Sequence, residues 1–215
     1  MRVLSCSLVF LVLAAAPAAG TEDAAALFRQ ALALHRDGQT NRALTLYLKA
    51  AALAPEDWQC LFAIGRLYRD DLKQPLQALK YFDQAARVEK TGHTALSAIV
   101  DIYYGRKQWE EAARTLRQIV SGSLPVPWRA RRQLVELLID RIRPQRAAEA
   151  LTVLAGMEHA ATAVPERAEV LLWRGRAHCR LLALDAARAA IMQGNALLEA
   201  HLKCNRDDHE ARWLV

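Results

Sequence analysis

His201, Cys204, Asp207, Asp208 and His209 crowd the last fifteen or so positions of the chain, and all are types that ligate transition metals. Imidazole and thiolate would take zinc or copper, with a carboxylate completing the set. Their order, His-x2-Cys-x4-His, matches no structural zinc pattern, and a polar helix end running into a solvated tail explains the same residues. No metal ligand and no cofactor is therefore assigned, and a metal-binding role through this cluster stands last among the functional readings. The paired carboxylates Asp70-Asp71 and Glu110-Glu111 could share acid–base work, yet they fall at turns or helix starts, where turn chemistry and helix-dipole compensation account for them. Ser97, Ser121 and Ser123 have no histidine and acid arranged around them. A glycine-rich phosphate loop, a His-Glu-x-x-His pair and a nucleophile elbow are all missing. The sequence reads as non-catalytic, with no catalytic residue.

What recurs along the chain is apolar. Ala43-Tyr47-Ala50, Ala78-Phe82-Ala85, Ala112-Leu116-Ile119 and Ala147-Leu151-Leu154 each put small or apolar side chains at offsets 0, +4 and +7, one stripe down a helix. Successive triplets lie about 34–35 residues apart, and helical units of that period stack into a solenoid whose members bury their apolar faces only against neighbours. Such scaffolds are used chiefly for binding.

Composition supports this. Of 215 residues, 53% are apolar and 24% charged, with only nine glycines and seven prolines, which fits a folded, helix-rich chain. The formal charge is +6 and the pI about 9.4, and arginine dominates the basic residues. Those residues alternate with acids and form no run longer than Arg131-Arg132, so nucleic acid is not the expected partner.

The first twenty residues read as a separate signal peptide. Arg2 is positive, Leu8 to Ala16 are unbroken apolar residues, and Ala16-Pro17-Ala18-Ala19-Gly20 offers small side chains to a peptidase. Cleavage after Gly20 would leave Thr21 to cap the first helix, with Glu22 and Asp23 on the positive end of its dipole. The expected organisation is residues 1–20 as signal peptide, 21–204 as helical repeats and 205–215 as a tail. The chain is expected to be exported, periplasmic or secreted, in a bacterial envelope, touching membrane only through an uncleaved leader. Cys60, Cys179 and Cys204 would remain, too far apart in such an array to pair.

Leu61, Ile64, Gly65 and Tyr68, followed by Ala78, Phe82 and Ala85, resemble the two-helix signature of the tetratricopeptide repeat family. Trp109-Glu110-Glu111-Ala112 resembles its second-helix start, Gly38 and Pro75 fall at interhelix turns, and so does Pro144. A linker from Met157 to Pro165 precedes a fifth unit carrying Leu171, Gly175, Ala187, Ile191 and Gly194. The resemblance spans about residues 24 to 202. It implies an all-α, right-handed solenoid of about five helix-turn-helix repeats, with first-helix side chains lining a concave groove.

Carried onto this chain, the groove positions are Phe28 and His35, then Phe62, Arg66 and Arg69, then Asp101 and Tyr104, then Arg129, Arg132 and Glu136, then Leu172, Arg176 and Arg180. That lining is aromatic and basic, suited to an extended acidic or amphipathic peptide. The asparagine–lysine clamp that some relatives close on a chain-terminal carboxylate is missing. The expected function is a protein-binding scaffold or adaptor, with self-association through the array ends, or assembly of an envelope complex, as the alternative.

Overall fold

The computed structural model describes residues 19–89, 93–122, 126–141 and 146–204, with side chains from 24 to 203. Within these the chain is helical throughout, with no strand among the described residues. The helices are α1 (Ala19–Arg36), α2 (Thr40–Leu53), α3 (Trp58–Arg66), α4 (Pro75–Val88), α5 (Thr94–Gly105), α6 (Trp109–Ser121), α7 (Trp128–Glu136), α8 (Ala147–Ala160), α9 (Val164–Arg180) and α10 (Leu184–Cys204). They form consecutive helix-turn-helix pairs, the all-α repeat architecture that the alanine stripes imply. Two first helices run on into a π-helical turn, α3 through Leu67–Asp71 and α7 through Leu137–Arg141. By compactness the chain divides into Met1–Tyr81 and Phe82–Val215.

Four of the pairs close on a residue in the left-handed region, at Gly38 (φ 74°), Lys73 (φ 54°), Lys107 (φ 57°) and Leu182 (φ 58°). The following amide then reaches back to close the helix end. Gln39 donates to the Leu34 carbonyl (2.9 Å), Gln108 to Tyr103 (2.9 Å) and Ala183 to His178 (2.9 Å). In the second pair the π turn adds a residue, and Gln74 donates instead to Tyr68 (2.8 Å). Only Gly38 occupies this position without a Cβ penalty.

The apolar stripes are the core. Ala43, Tyr47, Ala78, Phe82, Ala85, Ala112, Ala147 and Leu154 are wholly buried. In the first unit Tyr47 packs with Ala31, Ala50, Cys60, Ile64 and Leu67. In the second, Leu116, Ile119, Leu134, Leu138, Leu154, Met157 and Val170 form one cluster. Close backbone approach explains Gly175: a Cβ there would sit 2.4 Å from Ile191 Cγ1, where α9 crosses α10. Starts are capped from nearby acids. Asp57 Oδ1 accepts from the Gln59 and Cys60 amides (3.0 and 3.3 Å), and Glu89 accepts from Thr94 and Ala95 (3.0 and 2.9 Å).

With the leader attached, α1 includes Ala19 and Gly20 ahead of Thr21. One sequence expectation changes. The supposed linker from Met157 to Pro165 is mostly helix. Met157 is wholly buried within α8, Pro165 lies in the first turn of α9, and only Ala161 to Ala163 connect them. An apolar residue at Met157 extends the stripe by another turn, which outweighs the irregular repeat spacing. Pro144, most of the leader and the tail residues Asp207, Asp208 and His209 lie outside the described residues.

Candidate protein-binding interface

In the second unit the first helices α5, α7 and α9 are tied side by side through their side chains. Tyr104 on α5 donates its hydroxyl to the Gln133 carbonyl on α7 (3.2 Å). Burial pushes this phenol's pKa upward, and Glu136 adds to the effect, so it remains a donor. Its ring also meets Trp109 edge-on at 5.7 Å. From α7, Arg132 Nε lies 3.0 Å from Glu169 of α9, and Trp128 Nε1 donates to the same carboxylate at 3.2 Å. Trp173, one turn further along α9, adds a longer indole contact at 3.4 Å. Glu169 is 7% exposed, so this buried charge is held by two indoles and one guanidinium.

The α7 π turn supplies the next tie. Arg176 donates to Asp140 at 2.8 Å while stacking over Trp173, its guanidinium carbon 4.6 Å from the ring centre. Arg180 reaches the same carboxylate at 3.8 Å. Second helices are cross-linked too, by Arg117 of α6 on Glu149 of α8 at 2.5 and 3.1 Å. Between α5 and α7 a cavity of about 90 Å³ is lined by Ser97, Asp101, Arg129 and Gln133, with Leu116 and Ile119 of α6. Asp101 and Arg129 are exposed, and neither makes an ion pair among the described residues.

The first unit repeats the arrangement with α1 and α3. His35 on α1 hydrogen-bonds Asp71 in the α3 π turn at 3.0 Å. Its neighbour Asp70 accepts from Arg69 at 2.7 and 3.1 Å and lies 3.8 Å from Arg66. The Arg69 hydrogen bond holds the Asp70 carboxyl below its usual range, and so do the charges of Arg69, Arg66 and Lys73. Phe28 is half-buried against the Tyr47 ring at 5.6 Å, and Phe62 meets Trp58 at 6.3 Å. Cys60 donates its thiol to the Tyr47 carbonyl at 3.3 Å; burial pushes its pKa up to about 12, keeping it protonated. A pocket of about 360 Å³ is lined by Leu32, His35, Arg36, Tyr47, Ala63 and Arg66.

The groove residues read from the sequence thus lie on first helices, but the lining is not simply basic. Arg66, Arg69, Arg132, Arg176 and Arg180 each face an acid of the chain, namely Asp70, Glu169 or Asp140. Sequence reasoning missed those partners, the π turns that carry two of them, and Trp128 and Trp173 around Glu169. One signal was available: Asp70 and Asp140 hold the same place two repeats apart. Glu169 gave none, because its burial depends on helices that are distant in sequence. Cys60 and Cys179 carry free thiols, and no group of metal-ligating side chains gathers among the described residues. No helix among them is long and apolar enough to cross a membrane.

No family model and no curated protein matches the sequence. Solved structures do match in three dimensions. A MamA protein superposes at a TM-score of 0.61 and 15% identity, over 86% of this chain and 96% of that one. YrrB, a tetratricopeptide repeat protein described as having an unusual peptide-binding site, superposes at 0.53 and 20% identity, over 88% and 90% of the two chains. A Naa15/Naa10 complex bound to HypK-THB contains a chain matched at 0.56 and 17% identity, over 90% of this chain but 33% of that one. With its paired helices, recurring left-handed turns and buried alanine stripes, this chain has the fold of the tetratricopeptide repeat proteins.

Proposed function

We propose that this protein is an exported, non-catalytic scaffold that holds another protein, or an extended peptide, against its first-helix faces. The observation that carries the reading is the wall of α5, α7 and α9 in the second unit. Tyr104, Arg132 and Arg176 are fixed there by bonds within the chain, whereas Arg129 and Asp101 stand exposed beside a cavity. Fixed side chains lose little freedom on binding, and the unpaired charges supply specificity. The peptide-binding site ascribed to YrrB and the HypK-bound Naa15/Naa10 complex give precedents for such use of the fold. The leader composition supports export, and a reporter enzyme active only outside the cytoplasm, fused after Val215, tests it; a silent reporter would contradict it.

Groove use is tested by Arg66→Glu with Arg129→Glu. Both side chains are exposed, so the variant should keep its helical spectrum and lose its cross-linked partner; retained capture would refute the assignment. Arg132 is unsuitable for charge reversal because the new carboxylate would face buried Glu169. A second reading, self-association through the last helix, is favoured by Leu182, Leu184 and Met192, which are 83%, 67% and 61% exposed. Light scattering on Leu184→Lys with Met192→Lys tests it: a mass unchanged from an oligomeric parent would end it.

A further inference from the structure

We infer that the pocket between α1, α2 and α3 takes the carboxylate of a glutamate side chain presented by an acidic peptide, with the Tyr47 hydroxyl as its innermost donor. This rests on the scaffold reading and adds the ligand chemistry of one subsite. Tyr47 is wholly buried, and its hydroxyl has no hydrogen-bond partner among the described residues. A buried hydroxyl without a partner is costly, and most buried polar groups avoid that state. Packing does not require the oxygen. The same place in the next three repeats is held by Phe82, Leu116 and Leu151, of which Phe82 and Leu116 are buried without any polar atom.

The pocket's charge fixes the class of ligand. Among the described residues, Arg36 and Arg66 line it and no acid does. Both guanidinium charges act on the Tyr47 phenol, opposing the upward push of burial on its pKa. Arg36 makes no ion pair among the described residues, and the charge of Arg66 is only loosely met by Asp70 at 3.8 Å. His35 is held at the pocket wall by Asp71. Leu32 and Ala63 are the apolar side chains of the lining besides the Tyr47 ring, and methylenes can pack on them. A flexible acidic side chain can lay its stem on those residues and bring two oxygens to one hydroxyl and two guanidiniums. A second methylene favours glutamate over aspartate, because the hydroxyl lies beneath the surface.

The test uses the full chain, isotopically labelled, and a peptide Gly-Leu-Glu-Leu-Gly blocked at both ends. Three companions carry glutamine at the centre, phosphoserine at the centre, or glutamate with a free C-terminus. Amide shifts are followed at 32–36, 47 and 63–66. The blocked glutamate peptide should move these signals, and the glutamine peptide should bind about tenfold more weakly or worse. Tyr47→Phe and exposed Arg36→Gln should each weaken the glutamate peptide about tenfold. Tyr47→Phe should at the same time leave the melting temperature unchanged or higher, which a purely structural tyrosine would not do. The proposal is overturned if glutamate and glutamine peptides bind alike, if neither binds, if both variants bind as the parent does, or if only phosphoserine or only the free terminus is taken. Partner capture that still depends on Arg129 would then leave the scaffold reading standing without this pocket.

Discussion

Replacing Glu169 with glutamine is the sharpest probe of how the second unit's wall is held. The side chain keeps its volume and one oxygen, but the charge disappears and the other oxygen becomes an amide donor. One indole, of Trp128 at 3.2 Å or Trp173 at 3.4 Å, must then face an amide it cannot donate to. Hydrogen bonds to charged groups contribute about 1.5–3 kcal/mol, and a stranded buried donor costs about 1–3 kcal/mol. Arg132 is 54% exposed and recovers water when its partner is lost, so its share is small. We therefore expect Glu169→Gln to destabilise the second unit by about 2–3 kcal/mol. Urea unfolding followed by tryptophan fluorescence reads the total, and hydrogen exchange localises the loss to α7 and α9. A Glu169→Gln cost below about 0.5 kcal/mol would refute this account of the buried charge.

Other perturbations have equally definite signs. Lys107→Gly should stabilise the chain by about 0.5–1 kcal/mol in urea, because a left-handed residue sheds its Cβ penalty there; a loss would show that the side chain holds the turn. The Arg117 hydrogen bond holds the Glu149 carboxyl below its usual range, with a second hydrogen bond from Arg146. A depressed folded-state pKa gives stability that is present above the unfolded value, near 4, and lost as pH falls through the folded one. Urea midpoints should therefore fall below about pH 4, and Glu149→Gln should flatten that part of the profile; an unchanged slope would contradict the pairing.

How much of this could be read in advance depends on how local each cause is. The offsets around Ala43, Ala78, Ala112 and Ala147 are local, and the second helices formed where those stripes predicted. Helix ends were less legible. Met157 looked like linker until its burial in α8 showed otherwise. Repeat register alone was enough to put the candidate groove residues on first helices. Their pairing was not visible, because Glu169 and Asp140 come near Arg132 and Arg176 only after α7 and α9 lie together. The spare hydroxyl of Tyr47 differs: comparison with Phe82 shows an oxygen that packing does not need, but its isolation is known only from the folded neighbourhood.

Site-specific photo-cross-linking in intact cells tests the scaffold claim most directly. A photoreactive residue would replace Arg129 on the first-helix face of the second unit, and in parallel Arg114, which is exposed on second helix α6. The account predicts one discrete adduct from position 129, lost in the Asp101→Lys background, and none from position 114. Equal adducts from both positions, or none from 129 while 114 reacts, would contradict it.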